Sequence, residues 1–250
     1  MAKIWEHPRQ KREGALCFLQ DRNVLLGETK RCPHCGEASK TVGHLASKCE
    51  KMLGTDYTRR HNEVLKCIHL LMCFKYGIKS TKKLRIHSMQ QIVSNKYVKI
   101  RVDMFVKTDI KIKHNRPDLI VIDKLKKEIL IVEVGITSGD NLQQVETEKL
   151  RKYDLIASEL SQIYGFKPSI IPYVLTWDGV VTKYHEIYRR RLETSDRIEV
   201  YIQSLVLKKD AGKHISCAKR DLLVLNLIWR NTSWEPLWKY LMHRLEQFAS

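Results

Sequence analysis

Asp118-Leu119-Ile120-Val121-Ile122-Asp123, Lys124-Leu125-Lys126-Lys127 and Glu128-Ile129-Leu130-Ile131-Val132-Glu133-Val134-Gly135-Ile136 follow one another without a gap. Two aliphatic, β-branched runs around four mostly charged residues predict two strands joined by a tight turn. The second run is apolar at odd and even positions alike, so it needs cover on both faces and belongs at the centre of a sheet. A carboxylate in such a strand is costly unless it meets a cation or strong donors. Glu133 stands there, and Asp118 opens the neighbouring strand behind Arg116-Pro117. On adjacent strands the two can share one divalent metal, Mg²⁺ or Mn²⁺, through oxygen ligands that leave room for water and phosphate. Taken singly, each has a plainer role, Pro-Asp as a strand-start turn and Glu133 as an edge residue paired with a lysine.

Working outward, residues 58–77 space Val64, Leu65, Ile68, Leu71, Met72 and Lys75 as an amphipathic helix, with Gly77 at its stop. Residues 97–107 predict a further strand. Downstream, residues 142–163 predict one helix ahead of Gly165. Residues 169–177 form another β-rich run closed by Asp178-Gly179, and 182–192 reads as helical. The rest, 196–250, reads mostly helical, with a polar break at Asp210-Ala211-Gly212-Lys213. Helix, three strands, helix, strand, helix is a mixed α/β core. On the helix after Glu133 the apolar stripe is Val145, Tyr153, Ile156, Leu160 and Ile163. Lys149 falls in the middle of that stripe and Lys152 at its margin. A lysine facing the sheet beside two carboxylates can orient the attacking water and offset phosphate charge. Glu63, on the first helix, is a candidate further ligand or base.

Residues 1–56 are polar and rich in Cys, His, Lys and Gly, too poor in apolar positions to bury much surface unaided. Within them Cys32, Cys35, His44 and Cys49 form C-x2-C-x8-H-x4-C, which can wrap one tetrahedral Zn²⁺. Gly36 and Gly43 supply the backbone freedom so short a loop demands. The alternative is a cysteine-rich loop of unrelated thiols, but a module this small needs a staple.

With these residues in place, the region from about 16 to 184 resembles the C-terminal portion of site-specific non-LTR retrotransposons. There a CCHC knuckle precedes a restriction-like endonuclease of the PD-(D/E)xK superfamily. The knuckle matches Cys32, Cys35, His44 and Cys49. The short Arg-His-Asp/Asn signature matches Arg60-His61-Asn62, the Pro-Asp matches Pro117-Asp118, and the second acid matches Glu133. Lys-x-x-Lys-Tyr on the following helix matches Lys149 through Lys152-Tyr153. The plain superfamily pattern has lysine two residues after the acid, where Gly135 stands here. The resemblance implies that the lysine has moved to the helix, as Lys149 with Lys152 as its substitute. It further implies a restriction-endonuclease-like αβββαβ core and an Mg²⁺- or Mn²⁺-dependent nick that leaves a 5′-phosphate and a 3′-hydroxyl. The expected organisation is a zinc module at 1–56, a nuclease at 57–192 and a helical extension at 193–250, the last outside the resemblance. No stretch resembles a reverse transcriptase's Tyr/Phe-x-Asp-Asp box, so a polymerase partner, attached or separate, is expected. The chain is then a fragment or a stand-alone derivative.

Composition agrees with a nucleic-acid partner. Across 250 residues, 45 Lys+Arg against 28 Asp+Glu give a net charge of +17, which favours a polyanion. At 43% hydrophobic and 29% charged the chain has enough apolar material for a core. Its best apolar run, residues 67–74, contains His69 and is too short to cross a bilayer, so no membrane partner is expected. The first residues lack the basic-then-apolar pattern of a secretion signal. Seven cysteines, an odd and scattered set, predict reduced thiols inside a cell, and the resemblance places the protein in the nucleus. DNA is the expected partner and RNA a second one. The densest basic patches are Arg189-Arg190-Arg191, residues 79–85 and residues 111–116, which includes Arg116. Each bound cation releases counterions and makes binding salt-sensitive. Arg60 joins these contacts. His61 either contacts phosphate or packs between helix and sheet. Trp5, Trp177, Trp229, Trp234 and Trp238 are expected to fill core or interface. The competing functions are a non-catalytic nucleic-acid-binding module and a branched-DNA resolvase.

Overall fold

A computed structural model of the chain describes residues 31–32, 34–39, 44, 48–52, 57–81, 83–108 and 111–207. The polar break at 210–213, the remainder of the helical extension, Trp5, Trp229, Trp234 and Trp238 lie outside the described residues. The main elements are α1 (Thr58–Lys75), β1 (Ile92–Ser94), β2 (Val98–Val102), β3 (Leu119–Asp123) and β4 (Glu128–Thr137). They continue with α2 (Leu142–Lys152), α3 (Asp154–Tyr164), β5 (Lys167–Thr176), α4 (His185–Leu192) and α5 (Asp196–Leu207). The five strands form one sheet in the order β1-β2-β3-β4-β5, antiparallel up to β4, with β5 parallel to β4. The fold is mixed α/β. No described helix is long and apolar enough to cross a membrane.

The paired runs that opened the sequence are β3 and β4, joined by the turn at residues 124–127. Asp123 Oδ1 accepts the turn amides of Leu125 and Lys126, both at 2.9 Å, which fixes the register. β4 lies between β3 and β5 and is buried at every position after Glu128. Its even positions, Leu130, Val132, Val134 and Ile136, pack with α1 and with Ile198, Ile202, Leu205 and Val206 of α5. Its odd positions Ile129 and Ile131 pack with Ile120, Ile122 and the α3 residues Ile156, Ala157 and Leu160. Two-sided cover is what an unbroken apolar strand demands. Each such side chain contributes roughly 1.5–3 kcal/mol of transfer free energy.

Three features differ from the sequence expectation. The strand expected over 97–107 stops at Val102, where Asp103 adopts a positive φ of 49°, and a short additional strand, β1, pairs outside it. The helix expected over 142–163 breaks at Tyr153 (φ −110°, ψ 11°), whose ring is fully buried and whose hydroxyl donates to the Arg116 carbonyl at 3.2 Å. Anchoring that aromatic between the two halves outweighs continuing the helix. Ile163, placed on the apolar stripe, is 55% exposed at the far end of α3. Gly165 ends α3 with φ +66° and Gly77 follows α1 with φ +63°, as their positions predicted.

Inside α1, buried His69 meets His87 with Nδ1···Nε2 at 2.7 Å, and Thr81 Oγ1 lies 3.2 Å from the far nitrogen of His87. Burial, and then the His87 charge, pushes His69 down to about 4, and burial also lowers His87. A histidine held below its unfolded value of about 6.5 contributes stability above that pH. The contribution is lost as pH falls from 6.5 toward 4. Denaturant melts at pH 7.5 and pH 4.5 should show a loss of about 2–3 kcal/mol from His69, which His69→Gln should largely remove. A His69→Gln protein with the parental pH dependence would contradict this.

Candidate active site and metal centre

β3 and β4 pair from Asp123↔Glu128 to Leu119↔Val132. At the next step, where Asp118 faces Glu133, side chains continue the ladder. The Val134 N–H donates to Asp118 Oδ2 at 2.8 Å, and the Asp118 N–H donates to Glu133 Oε2 at 3.3 Å. Each strand's amide is thus taken by the other strand's carboxylate, which holds the two acids side by side where the strands begin to part. Glu133 shares its face of β4 with Ile129 and Ile131, and Asp118 shares its face of β3 with Ile120 and Ile122. Both acids therefore point toward α2 and α3. Glu133 is 3% exposed.

α2 delivers two cations to one atom. Lys149 Nζ and Lys152 Nζ each donate to Glu133 Oε1 at 3.0 Å. The side chain of Lys149 is the more enclosed, 16% exposed against 34% for Lys152, and Lys152 also lies 4.8 Å from the Tyr153 ring centre. A Cβ at Gly135 would fall 2.7 Å from Lys149 Cε, 3.2 Å from its Cδ and 3.2 Å from Val174 Cγ2. The lysine stem therefore crosses β4 through the space that a side chain at 135 would fill. Sequence reasoning noted Gly135 only as a departure from a pattern. A glycine inside a β-branched strand was the available signal of close approach.

The other flank comes from α1. His61 Nε2 lies 3.0 Å from Asp118 Oδ2, and His61 Nδ1 lies 3.1 Å from Asn62 Oδ1. The His61 ring also stacks on Tyr57, with centroids 6.2 Å apart. Burial pushes the Asp118 carboxyl up, but the His61 hydrogen bond and charge, the Val134 amide and Lys149 outweigh it and hold it below the usual range. Burial likewise works against protonated His61, and the Asp118 contact reverses it, so the imidazole is raised. Burial, and then Glu133, raises the Tyr153 phenol. Neither expected role of His61 includes this direct contact with the first carboxylate.

Other expected residues lie elsewhere. Arg60 is 5% exposed and its Nε donates to the Val206 carbonyl at 2.9 Å, so it ties α1 to α5 inside the fold instead of facing DNA. Glu63 stands two residues beyond His61, about 200° around the helix, and faces Arg59 at 3.8 Å. It does not join Asp118 and Glu133. Arg189 is committed to Glu186, Asp196 and the Thr194 carbonyl, and Arg190 to Glu186, whose carboxyl the two arginines pull down to about 2. Arg190 and Arg191 remain exposed, the latter touching Ser169. Arg116 is exposed beside Asp118, with Nη2 donating to Asp103 Oδ2 at 2.6 Å. Trp177 packs, partly buried, against the core.

The second centre is the cluster Cys32, Cys35, His44 and Cys49, whose ligand atoms all lie within 4.8 Å of one another. Among the described residues it is the one group of three or more candidate metal ligands. Cys32 Sγ and Cys49 Sγ are 3.7 Å apart, and Cys35 Sγ is 3.3 Å from His44 Nε2. A tetrahedral zinc with Zn–S arms of about 2.3 Å has an S···S edge of about 3.8 Å. The cluster can hold zinc. An antiparallel bridge between Arg31 and Ser39 closes the first loop, with Gly36 at φ +74°. The amides of Ala38 and Glu37 bond to the Cys35 thiol and lower it toward thiolate. The expected metal content is one zinc per chain by elemental analysis, falling near zero in Cys32→Ala. Full zinc content in that variant would contradict the ligand set.

No family model matches the chain, and no curated protein matches it. Among solved structures, an N-terminal domain of a reptarenavirus L protein matches at 15% identity, covering 92% of this chain and 98% of that one, with a TM-score of 0.26. At that score no residue correspondence follows, and the site rests on its own geometry.

Proposed function

We propose that this chain is a metal-dependent DNA endonuclease of the restriction-like class, related to the nucleases of site-specific non-LTR retrotransposons and acting on nuclear DNA. The observation that carries this reading is the reciprocal lock of Asp118 and Glu133 on adjacent strands, with Lys149 on the same carboxylate. The order of helix, antiparallel strands, helix and parallel strand supports a restriction-like core.

The donor set suits a hard divalent cation: two carboxylates, held without help from one another's charge. Asp118 and Glu133 would hold Mg²⁺ or Mn²⁺, which when bound supplies Lewis-acid stabilisation of the phosphate. Lys149 donates to the water that attacks phosphorus and keeps it oriented. Lys152, more exposed at the rim, offsets charge on the phosphate oxygens. His61 holds Asp118 in place from the α1 side. The zinc module braces the chain ahead of α1 and offers a further contact to nucleic acid.

A second reading has its own observation. Two lysines on Glu133 and one histidine on Asp118 also neutralise the pair without any metal. In that case the chain binds nucleic acid without cutting it. Mg²⁺-dependent nicking of supercoiled plasmid, compared with Asp118→Ala, separates the two. Metal-dependent cutting by the parent that Asp118→Ala lacks supports the nuclease. Retained DNA binding with no cutting by either protein selects the binding module.

A further inference from the structure

Residues 103–108 and 111–117 stand between β2 and β3, immediately ahead of Asp118. Their two apolar anchors, Val106 and Ile112, are buried on the face of the sheet that carries Ile120 and Ile122, and the Val106 amide donates to the Asn115 carbonyl at 2.7 Å. With their base pinned, Lys107, Lys111, Lys113, His114 and Arg116 point outward. From Arg101 to Arg116 the chain has five Lys/Arg against two Asp. Phe105 projects from this basic loop at 62% exposure. A single exposed apolar side chain is ordinary, but this one is held from two sides. The Arg116 guanidinium carbon lies 5.2 Å from its ring centre, and Arg101 Nη2 donates to its carbonyl at 2.9 Å. Arg116 is in turn fixed by Asp103 and, through its own carbonyl, by the Tyr153 hydroxyl. An exposed aromatic ring among cations, backed by the guanidinium of an arginine two residues from Asp118, has the composition of a base-stacking platform.

We propose that Phe105 and Arg116 stack an unpaired base of DNA next to the phosphate held at Asp118 and Glu133, so that the preferred substrate carries an unstacked nucleotide at the cut. This rests on the nuclease reading for the identity of the cut, and on its own observations for the stacking. A base inside an intact duplex offers no free face to Phe105, while one at a bulge or flap does. The surrounding cations serve paired and unpaired DNA alike through phosphate, so discrimination between them comes from the ring.

The test uses the full chain and two oligonucleotides of one sequence. One is a fully paired duplex, and the other carries a single-nucleotide bulge marked with 2-aminopurine. The parent is expected to bind the bulged DNA more tightly and to quench the probe. Phe105→Ala should lose about five- to hundredfold in affinity for the bulge, the range a single stacked base supplies, with duplex affinity changed less than twofold. Phe105→Trp should keep the discrimination. Equal affinity of the parent for both DNAs overturns the proposal, as does an equal loss on both in Phe105→Ala or no DNA binding at all. Cleavage in Mg²⁺ separates the two readings. Parental discrimination without cutting leaves the platform and removes the nuclease. Cutting without discrimination leaves the nuclease and removes the platform.

Discussion

Asp118→Asn is expected to lower Mg²⁺-dependent nicking by about a hundred- to thousandfold, the scale on which removal of one preorganised electrostatic group acts. The substitution is chosen because the amide oxygen of asparagine still accepts the Val134 N–H, so the lock between β3 and β4 persists. What disappears is the negative charge that a divalent ion needs and that His61 pairs with. Glu133→Gln should act as strongly on cutting but cost more stability. Glu133 is 3% exposed and its carboxylate holds both lysines, and removing one member of a buried ion pair strands the others. Single-turnover nicking together with thermal melts checks both variants. Parental rates in well-folded Asp118→Asn would remove the carboxylate from the chemistry.

Gly135→Ala is the second large effect. The added methyl would stand 2.7 Å from Lys149 Cε, so the flexible end of the lysine must shift from its position over β4. The expected result is a loss of nicking comparable to that of Lys149→Ala, about a hundredfold. Lys152→Ala, at the rim, should lose no more than about tenfold. Restoring a lysine two residues after the acid, Gly135→Lys in a Lys149→Ala background, puts an ammonium back from the strand side and should recover part of the lost rate. Full activity in Gly135→Ala would mean that the position of Lys149 over the strand is incidental. A Lys152→Ala loss exceeding that of Lys149→Ala would exchange the two roles.

Much of the site was legible because strand periodicity is short and strict. Asp118 with Ile120, and Glu133 with Ile131, fall on one face by parity alone, and the even positions of β4 fall on the other. Lys149 was legible as an out-of-place charge on an apolar stripe, although Tyr153 breaks the helix that carried the stripe. Arg60 and Glu63 were not legible. Local sequence gives a helical wheel but not which neighbour covers each side, and α5, nearly 150 residues away, takes Arg60. The Asp118–His61 contact depends on the same long-range docking of α1. Charge patches misled for a more local reason. Arg189 looked free beside two other arginines, but Glu186 one turn earlier on α4 and Asp196 at the start of α5 consume it.

The most direct measurement is Mn²⁺ binding to the zinc-loaded chain, followed by electron paramagnetic resonance of the free ion. A Mn²⁺ site is expected in the parent, absent in Asp118→Asn and in Glu133→Gln, and independent of the zinc content. Mn²⁺ binding that survives both substitutions, or that never occurs in the parent, contradicts a shared divalent ion between β3 and β4.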